Sequence, residues 1–290
     1  MPTGVRRRGE VLAPDEGWER GAANAGVEDP RTTWVPSLGA AGTHVMTYVA
    51  YGPLGPKPAL AVSTDLEHWT RLGPVQMAYQ PDLDTDLNLF PNKDVVWFPE
   101  VVPDPDGVPS YAVLHRPMWD LGWIRPGETT HLPAGVDDER PGIWISYVEA
   151  AAAQADLSAL TRPRKHRVLA MPEFDFEALK IGAGPPPVRV AEGWLLLHHG
   201  VVGYVPPGFD PTTQQVSYAA GAMLLDPEDP SRVLARTSEP LMSPETDDER
   251  TGVVSNVVFP TAIEEVDGVT YVFYGMADAK IGVARLERLR

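Results

Sequence analysis

The chain has no cysteine in its 290 residues, which removes disulfides, thiolate metal sites and a cysteine nucleophile together. It also lacks any run near the ~20 apolar residues of a membrane helix. The arginines of MPTGVRRRGEVLAPDEGW are followed by no apolar stretch, so no secretory leader is expected and a cytoplasmic setting is the default. Positive charge is scarce: 24 Lys and Arg stand against 40 Asp and Glu, a formal charge of -16. That balance argues against nucleic acid or an anionic membrane as partner, because phosphate backbones are bound by basic faces. The seven histidines form no HExxH motif. The acidic run PDLDTDLN (81–88) lacks the glycine and closing glutamate of a calcium loop, so it reads as a solvated loop and no metal is expected. No Walker lysine motif or GxSxG occurs, and GAGPPP lacks the helix start that dinucleotide binding needs.

What the chain has in quantity is glycine and proline, 26 and 31 residues spread throughout. Both interrupt regular elements, favouring short strands and tight turns. Apolar or alternating runs predict strands at 44–51, 110–116, 142–148, 193–200, 217–226 and 269–278. Helical periodicity is weak, and the alanine-rich 148–160 predicts only a short helix or turn. A pattern recurs: proline-containing segments (EDPR at 28–31, FPE at 98–100, GPPP at 184–187, VFPT at 258–261) stand before apolar strands. In three of the four a DG or EG turn follows, at Asp106-Gly107, Glu192-Gly193 and Asp267-Gly268. A repeat of roughly 75 residues holding about four strands has the size of a propeller blade. The expected fold is all-β and of the β-propeller type, with four repeats visible and too few residues before the first for another whole blade. Residues 1–290 form a single domain in which 1–25 are the remnant of an N-terminal blade.

GVEDPR (26–31), NKDVVWFPE (92–100), LHRP (114–117), KIGAGPPP (180–187), LLLHHGV (195–201), NVVFP (256–260) and YGMADAKIGVA (274–284) follow one another over nearly the whole chain. Together they closely resemble glycoside hydrolase family 130, propeller phosphorylases and hydrolases acting on β-mannosides. Members are five-bladed and usually carry a further N-terminal blade with an Asn-Pro motif, so the resemblance implies a five-bladed β-propeller type with its first blade incomplete and a shortened N-terminus here.

The resemblance implies inverting phosphorolysis, in which inorganic phosphate replaces the water and second carboxylate of an inverting hydrolase. Asp29 would be the general acid. Arg116, Lys180 and His199, with Asn92 and Tyr218, would bind phosphate, the arginine by paired hydrogen bonds and the lysine as a point charge. Glu28, Arg31 and Asp278 would bind or position the sugar. Phosphate is a co-substrate, and no cofactor is implied. The partners are a β-mannoside and phosphate, with an assembly of identical copies left open.

Each residue has a plainer reading. Asp29 before Pro30 suits a turn, Arg116 an ordinary ion pair, Lys180 a solvated lysine and His199 a core histidine. His115 and His198 are expected to be structural, and Trp97, Trp119, Trp144 and Trp194 read as core or blade packing more readily than as sugar platforms. For sugar stacking the candidates to consider are Trp119 and Trp123, on a long loop (119–141) that caps the acceptor side. Two other functions stay open at this point: a β-mannoside hydrolase of the same family and a non-catalytic sugar-binding propeller.

Overall fold

Innermost strands carry the proline motifs. The structure, a computed structural model, describes residues 6–21, 25–53, 55–119, 127, 131–206 and 211–287. The first sheet holds β1 (Gly26–Val35), β2 (Thr43–Gly52), β3 (Gly55–Ser63) and β4 (Thr70–Pro74) in sequential antiparallel order. The second repeats the plan with β5 (Asn92–Pro103), β6 (Pro109–Pro117), β7 (Ile143–Glu149) and β8 (Arg164–Ala170). In the third, β9 (Lys180–Ala183) and β10 (Val188–Val190) pair with opposite ends of β11 (Gly193–Tyr204), which continues to β12 (Gln215–Leu225) and β13 (Val233–Arg236). The fourth has β14 (Val258–Val266), β15 (Val269–Met276) and β16 (Lys280–Arg285). Contacts run from β1 to β5, from β5 to β9, from β12 to β14 and from β14 back to β1. The sheets thus form a propeller-like arrangement of four blades.

Proline supplies no ladder N–H, and the chain meets this by breaking register where its repeated prolines fall. β1 bulges between Glu28 and Arg31, around Pro30. β5 slips between Trp97 and Val101, around Pro99, and β14 between Pro260 and Ala262. In the third sheet the Pro185–Pro187 run separates β9 from β10. The repeat read from the sequence is therefore a row of irregular innermost strands. The Asp267-Gly268 turn joins β14 to β15 with both residues at positive φ, 52° and 73°, the geometry of a tight hairpin. The alanine-rich stretch forms one short helix, α1 (Ala150–Ala155).

A partial fifth blade is not borne out among the described residues, of which 6–21 form no strand. Instead Pro14-Asp15-x-x-x-Glu19 is a fastening device for the first sheet. Glu19 Oε2 accepts from the backbone N–H of Asp15 and Glu16, while Oε1 accepts from the Tyr48 hydroxyl on β2. The same spacing recurs at Pro172–Glu177 and Pro244–Glu249. Glu177 accepts from the N–H of Glu173 and Phe174 and bonds His198 on β11 at 2.7 Å. Glu249 accepts from the N–H of Glu245 and Thr246 and from the Tyr274 hydroxyl on β15. In each, a buried carboxylate ties the loop before a sheet to that sheet's second strand, and its hydrogen bonds offset desolvation. The second sheet carries a variant: Asp86 of Pro81-Asp82-x-x-x-Asp86 accepts from the Asn88 N–H instead.

Apolar residues between sheets form the core. Trp97, Trp144 and Trp194 are fully buried, as expected. Trp119 joins them at 1% exposure, edge-on to Phe90 and Trp144. It is a packing residue, which bears out the core reading and leaves no face open for the sugar-stacking alternative. Trp123 and most of 119–130 lie outside the described residues.

Candidate active site

Two bulges place two aspartates. Asp29 sits in the β1 bulge at φ 51°, and Asp94 in a register shift of β5, between Lys93 and Val96, at φ 54°. Left-handed backbone is strained for most L-residues, and aspartate is among the few that tolerate it. The residues before them, Glu28 and Lys93, face each other at 3.4 Å, and Lys93 Nζ lies 3.8 Å from Asp29 Oδ2. Burial pulls the Lys93 ammonium down, but Asp29, Glu28 and Asp94 outweigh it and raise its pKa above the ordinary value.

Asp94 is the buried centre of the site, 3% exposed. Arg116 Nε, from the end of β6, reaches its Oδ2 at 2.5 Å, His199 Nε2 on β11 lies at 3.5 Å, and Arg31 Nη2 is 3.8 Å from Oδ1. Burial alone would raise the carboxyl's pKa, yet the Arg116 and Arg31 guanidiniums hold it well below the usual range. The fit leaves no spare room. A Cβ on Gly182 of β9 would stand 2.0 Å from Asp94 Oδ2 and 2.6 Å from His199 Cε1, so the glycine of KIGAG is needed for close approach.

A cavity of about 630 Å³ opens over this cluster, lined by Glu28, Asp29, Asp94, Arg116, Lys180, His199, Tyr218 and Asp278 among others. Side chains from all four sheets meet there. Arg116 Nη1 is buried and makes no hydrogen bond among the described residues, and neither does Arg31 Nη2. Lys180 has no carboxylate within salt-bridge distance among the described residues and stands 5.5 Å over the Tyr218 ring. Its ammonium is pulled down to about 7 by burial, then by the neighbouring Arg116 and Lys93. His199 is fully buried against Phe259, ring centroids 4.6 Å apart, and desolvation keeps it neutral, its pKa well below 6.5. Tyr218 is pushed up to about 12, mainly by burial. Asp278 is raised by burial and by the charge of Asp29. Such unpartnered donors beside a half-exposed carboxyl can hold an oxyanion at one side of the cavity and present a proton at the other.

Of the residues singled out from the sequence, Glu28, Asp29, Arg116, Lys180, His199, Tyr218 and Asp278 therefore share one cavity. Two do not line it. Asn92 is buried outside that lining: its amide faces His115 Nδ1 at 3.0 Å and its Oδ1 accepts the Arg116 backbone N–H at 3.1 Å. Asn92 thus braces the Arg116 backbone from outside the cavity lining. Arg31 lies beneath the cavity, donating from Nε to Gly184 O and from Nη1 to Asp29 O, and so positions the bulge. His115 and His198 are structural, as expected, held by Ser146 and Glu177. Sequence reasoning missed Lys93 and Asp94, although both lie inside NKDVVWFPE. No local signal marks them, since by the proline repeat Asp29-Pro30 falls on Phe98-Pro99, beyond Asp94.

A family profile named Glyco_hydro_130 and described as beta-1,4-mannooligosaccharide phosphorylase matches residues 5–289. The chain is 31% identical over 283 residues to a beta-1,2-mannobiose phosphorylase of Thermoanaerobacter sp. (strain X514), covering 97% of this chain and 70% of that protein. It resembles the solved beta-1,2-mannobiose phosphorylase of Listeria innocua with a TM-score of 0.67 and 26% identity, over 95% of this chain and 61% of that one. A second solved structure, from work on GH130 glycoside hydrolases that target beta-1,2 mannosidic linkages in Candida mannan, gives a TM-score of 0.62 and 25% identity over 95% of this chain and 69% of that one. The chain thus spans only about two thirds of the length of these relatives.

Proposed function

The chain belongs to glycoside hydrolase family 130, and from that premise we propose that it catalyses inverting phosphorolysis of a β-mannoside, a mannosyl disaccharide or short oligosaccharide, to α-mannose 1-phosphate. The observation that carries this reading is the buried, unpartnered Arg116 Nη1 in a cavity shared with Lys180 and Asp29. Phosphate oxygens accept from Arg116 and are drawn by Lys180 and Lys93, with the Tyr218 hydroxyl and a His199 N–H as neutral donors. A phosphate oxygen attacks the mannosyl C1 on the face opposite the leaving group. The C1–O bond breaks as Asp29 gives its proton to the leaving oxygen, directly or through a sugar hydroxyl. The proton carried by the phosphate then restores Asp29, so none is gained or lost. Glu28 and Asp278 orient the sugar, and Arg31 holds the Asp29 bulge.

Glu28 and Asp278 also favour a second reading. Either carboxylate, lining the same cavity, has the chemistry to activate water in an inverting hydrolase. Asp94 does not, because Arg116 holds its charge. Initial rates on β-1,2- and β-1,4-mannobiose with and without phosphate separate the readings. Cleavage that requires phosphate supports phosphorolysis. Equal mannose release without it supports hydrolysis, and binding without turnover supports a sugar-binding propeller.

A further inference from the structure

We propose that Asp94 is a positioning residue for this reaction: its carboxylate registers Arg116, Arg31 and His199 against one another, aiming Arg116 Nη1 at phosphate and holding the Asp29 bulge beside it. The inference rests on the phosphorolysis reading. Its geometry is a chain of contacts. Arg116 Nε is fixed on Asp94 Oδ2 at 2.5 Å, which leaves Nη1 of the same planar fork as the free donor. From the other oxygen the chain passes to Arg31 Nη2 at 3.8 Å, then from Arg31 Nη1 to the Asp29 carbonyl at 2.9 Å. Arg31 Nε closes the chain on Gly184 O of the third sheet at 3.0 Å. One carboxylate thereby ties the proton donor of the first sheet to the anion-binding groups of the second and third.

Neither affinity nor stability alone explains an aspartate here. A fixed negative charge opposes an incoming phosphate. A buried ion pair contributes little stability over apolar packing of the same volume. Register remains, and two costs are accepted for it: the left-handed backbone at Asp94 and the missing side chain at Gly182. Asp29 and Asp94 both sit at left-handed register shifts, one about a third exposed to the cavity and the other buried as a counter-ion.

The test is Asp94→Asn, which keeps the shape and one acceptor but removes the charge. The KM for phosphate should rise at least tenfold while the KM for mannoside stays within twofold. A phosphate KM within twofold of the wild type, or equal rises in both constants, overturns the proposal. Should Asp94→Asn fail to fold, arginine-labelled wild-type protein provides the readout, with the Arg116 Nε–H assigned by its loss in Arg116→Lys. That proton should exchange slowly with water and keep its shift as inorganic phosphate moves the Nη resonances; exchange as fast as at exposed arginines overturns the proposal. The two failures are distinguishable. A wild type that cleaves equally without phosphate removes the phosphorolysis reading and this role with it. Phosphate dependence with an unchanged phosphate KM in Asp94→Asn removes the Asp94 role alone.

Discussion

Asp29 and Asp94 occupy the same kind of left-handed bulge, at φ 51° and 54°, in the innermost strands of adjacent sheets. One faces the cavity with about a third of its side chain exposed, and the other is buried on Arg116. Asparagine also tolerates this backbone, so Asp29→Asn separates chemistry from fold. Turnover should be abolished with the melting temperature unchanged, and substantial activity would remove Asp29 from the acid role. Asp29→Ala should add a backbone penalty of about 1 kcal/mol, seen as a lower melting temperature.

Gly182 allows Asp94 and His199 to approach the β9 backbone. Gly182→Ala should cost about 1–3 kcal/mol through overpacking and should impair phosphate use. Gly17→Ala, where an added Cβ meets nothing within 4 Å, should stay within about 0.5 kcal/mol. Urea unfolding of the two variants checks the contrast.

Lys180 should work against stability in a defined pH window. Its ammonium falls from 10.5 to about 7 in the folded protein, so between those values the unfolded chain binds the extra proton. The penalty is therefore full below pH 7 and fades as pH rises toward 10.5. Lys180→Met should raise the melting temperature at pH 6, with a smaller gain at pH 9. The same substitution should raise the phosphate KM sharply at pH 6. An unchanged phosphate KM would count against the anion site.

Glu177 should make the third sheet acid-sensitive. Its carboxyl is driven to about 2: burial opposes, but His198, the Glu173 and Phe174 N–H groups and Arg236 prevail. A carboxyl lowered from 4.5 contributes stability that is present above that value and lost as pH falls toward 2. Glu177→Ala should cost about 3–5 kcal/mol at pH 7 by stranding buried Arg236 and His198, with a shallower acid transition. Glu67→Ala, which breaks an exposed pair with Arg8, should cost no more than about 1 kcal/mol. Thermal melts from pH 7 to 3 compare them.

Much of this was legible in the sequence because proline is explicit: each repeated proline marks an irregular innermost strand, and the apolar runs between are the strands. Seven site residues converge as their motifs implied. Asn92 sits outside the cavity lining and Trp119 offers no stacking face because neighbours, not residue type, decide where an amide or an indole is held. Asp94 was missed for a related reason. Its importance comes from Arg116 and His199 folding onto it from 22 and 105 positions away in NKD, LHRP and LLLHHGV, a long-range packing fact without a local signature. The Pro-x-x-x-x-Glu fasteners were visible at 14, 172 and 244, but only their shared hydrogen bonds show what the spacing does.

The central claim is that this cavity delivers phosphate to a mannosyl carbon. Phosphorus NMR of the wild type with a β-mannobiose and inorganic phosphate tests it most directly. The account predicts that a signal for α-mannose 1-phosphate grows as free phosphate declines, and that Arg116→Ala does not produce it at the same phosphate concentration. Free mannose accumulating with the phosphate signal unchanged would contradict it.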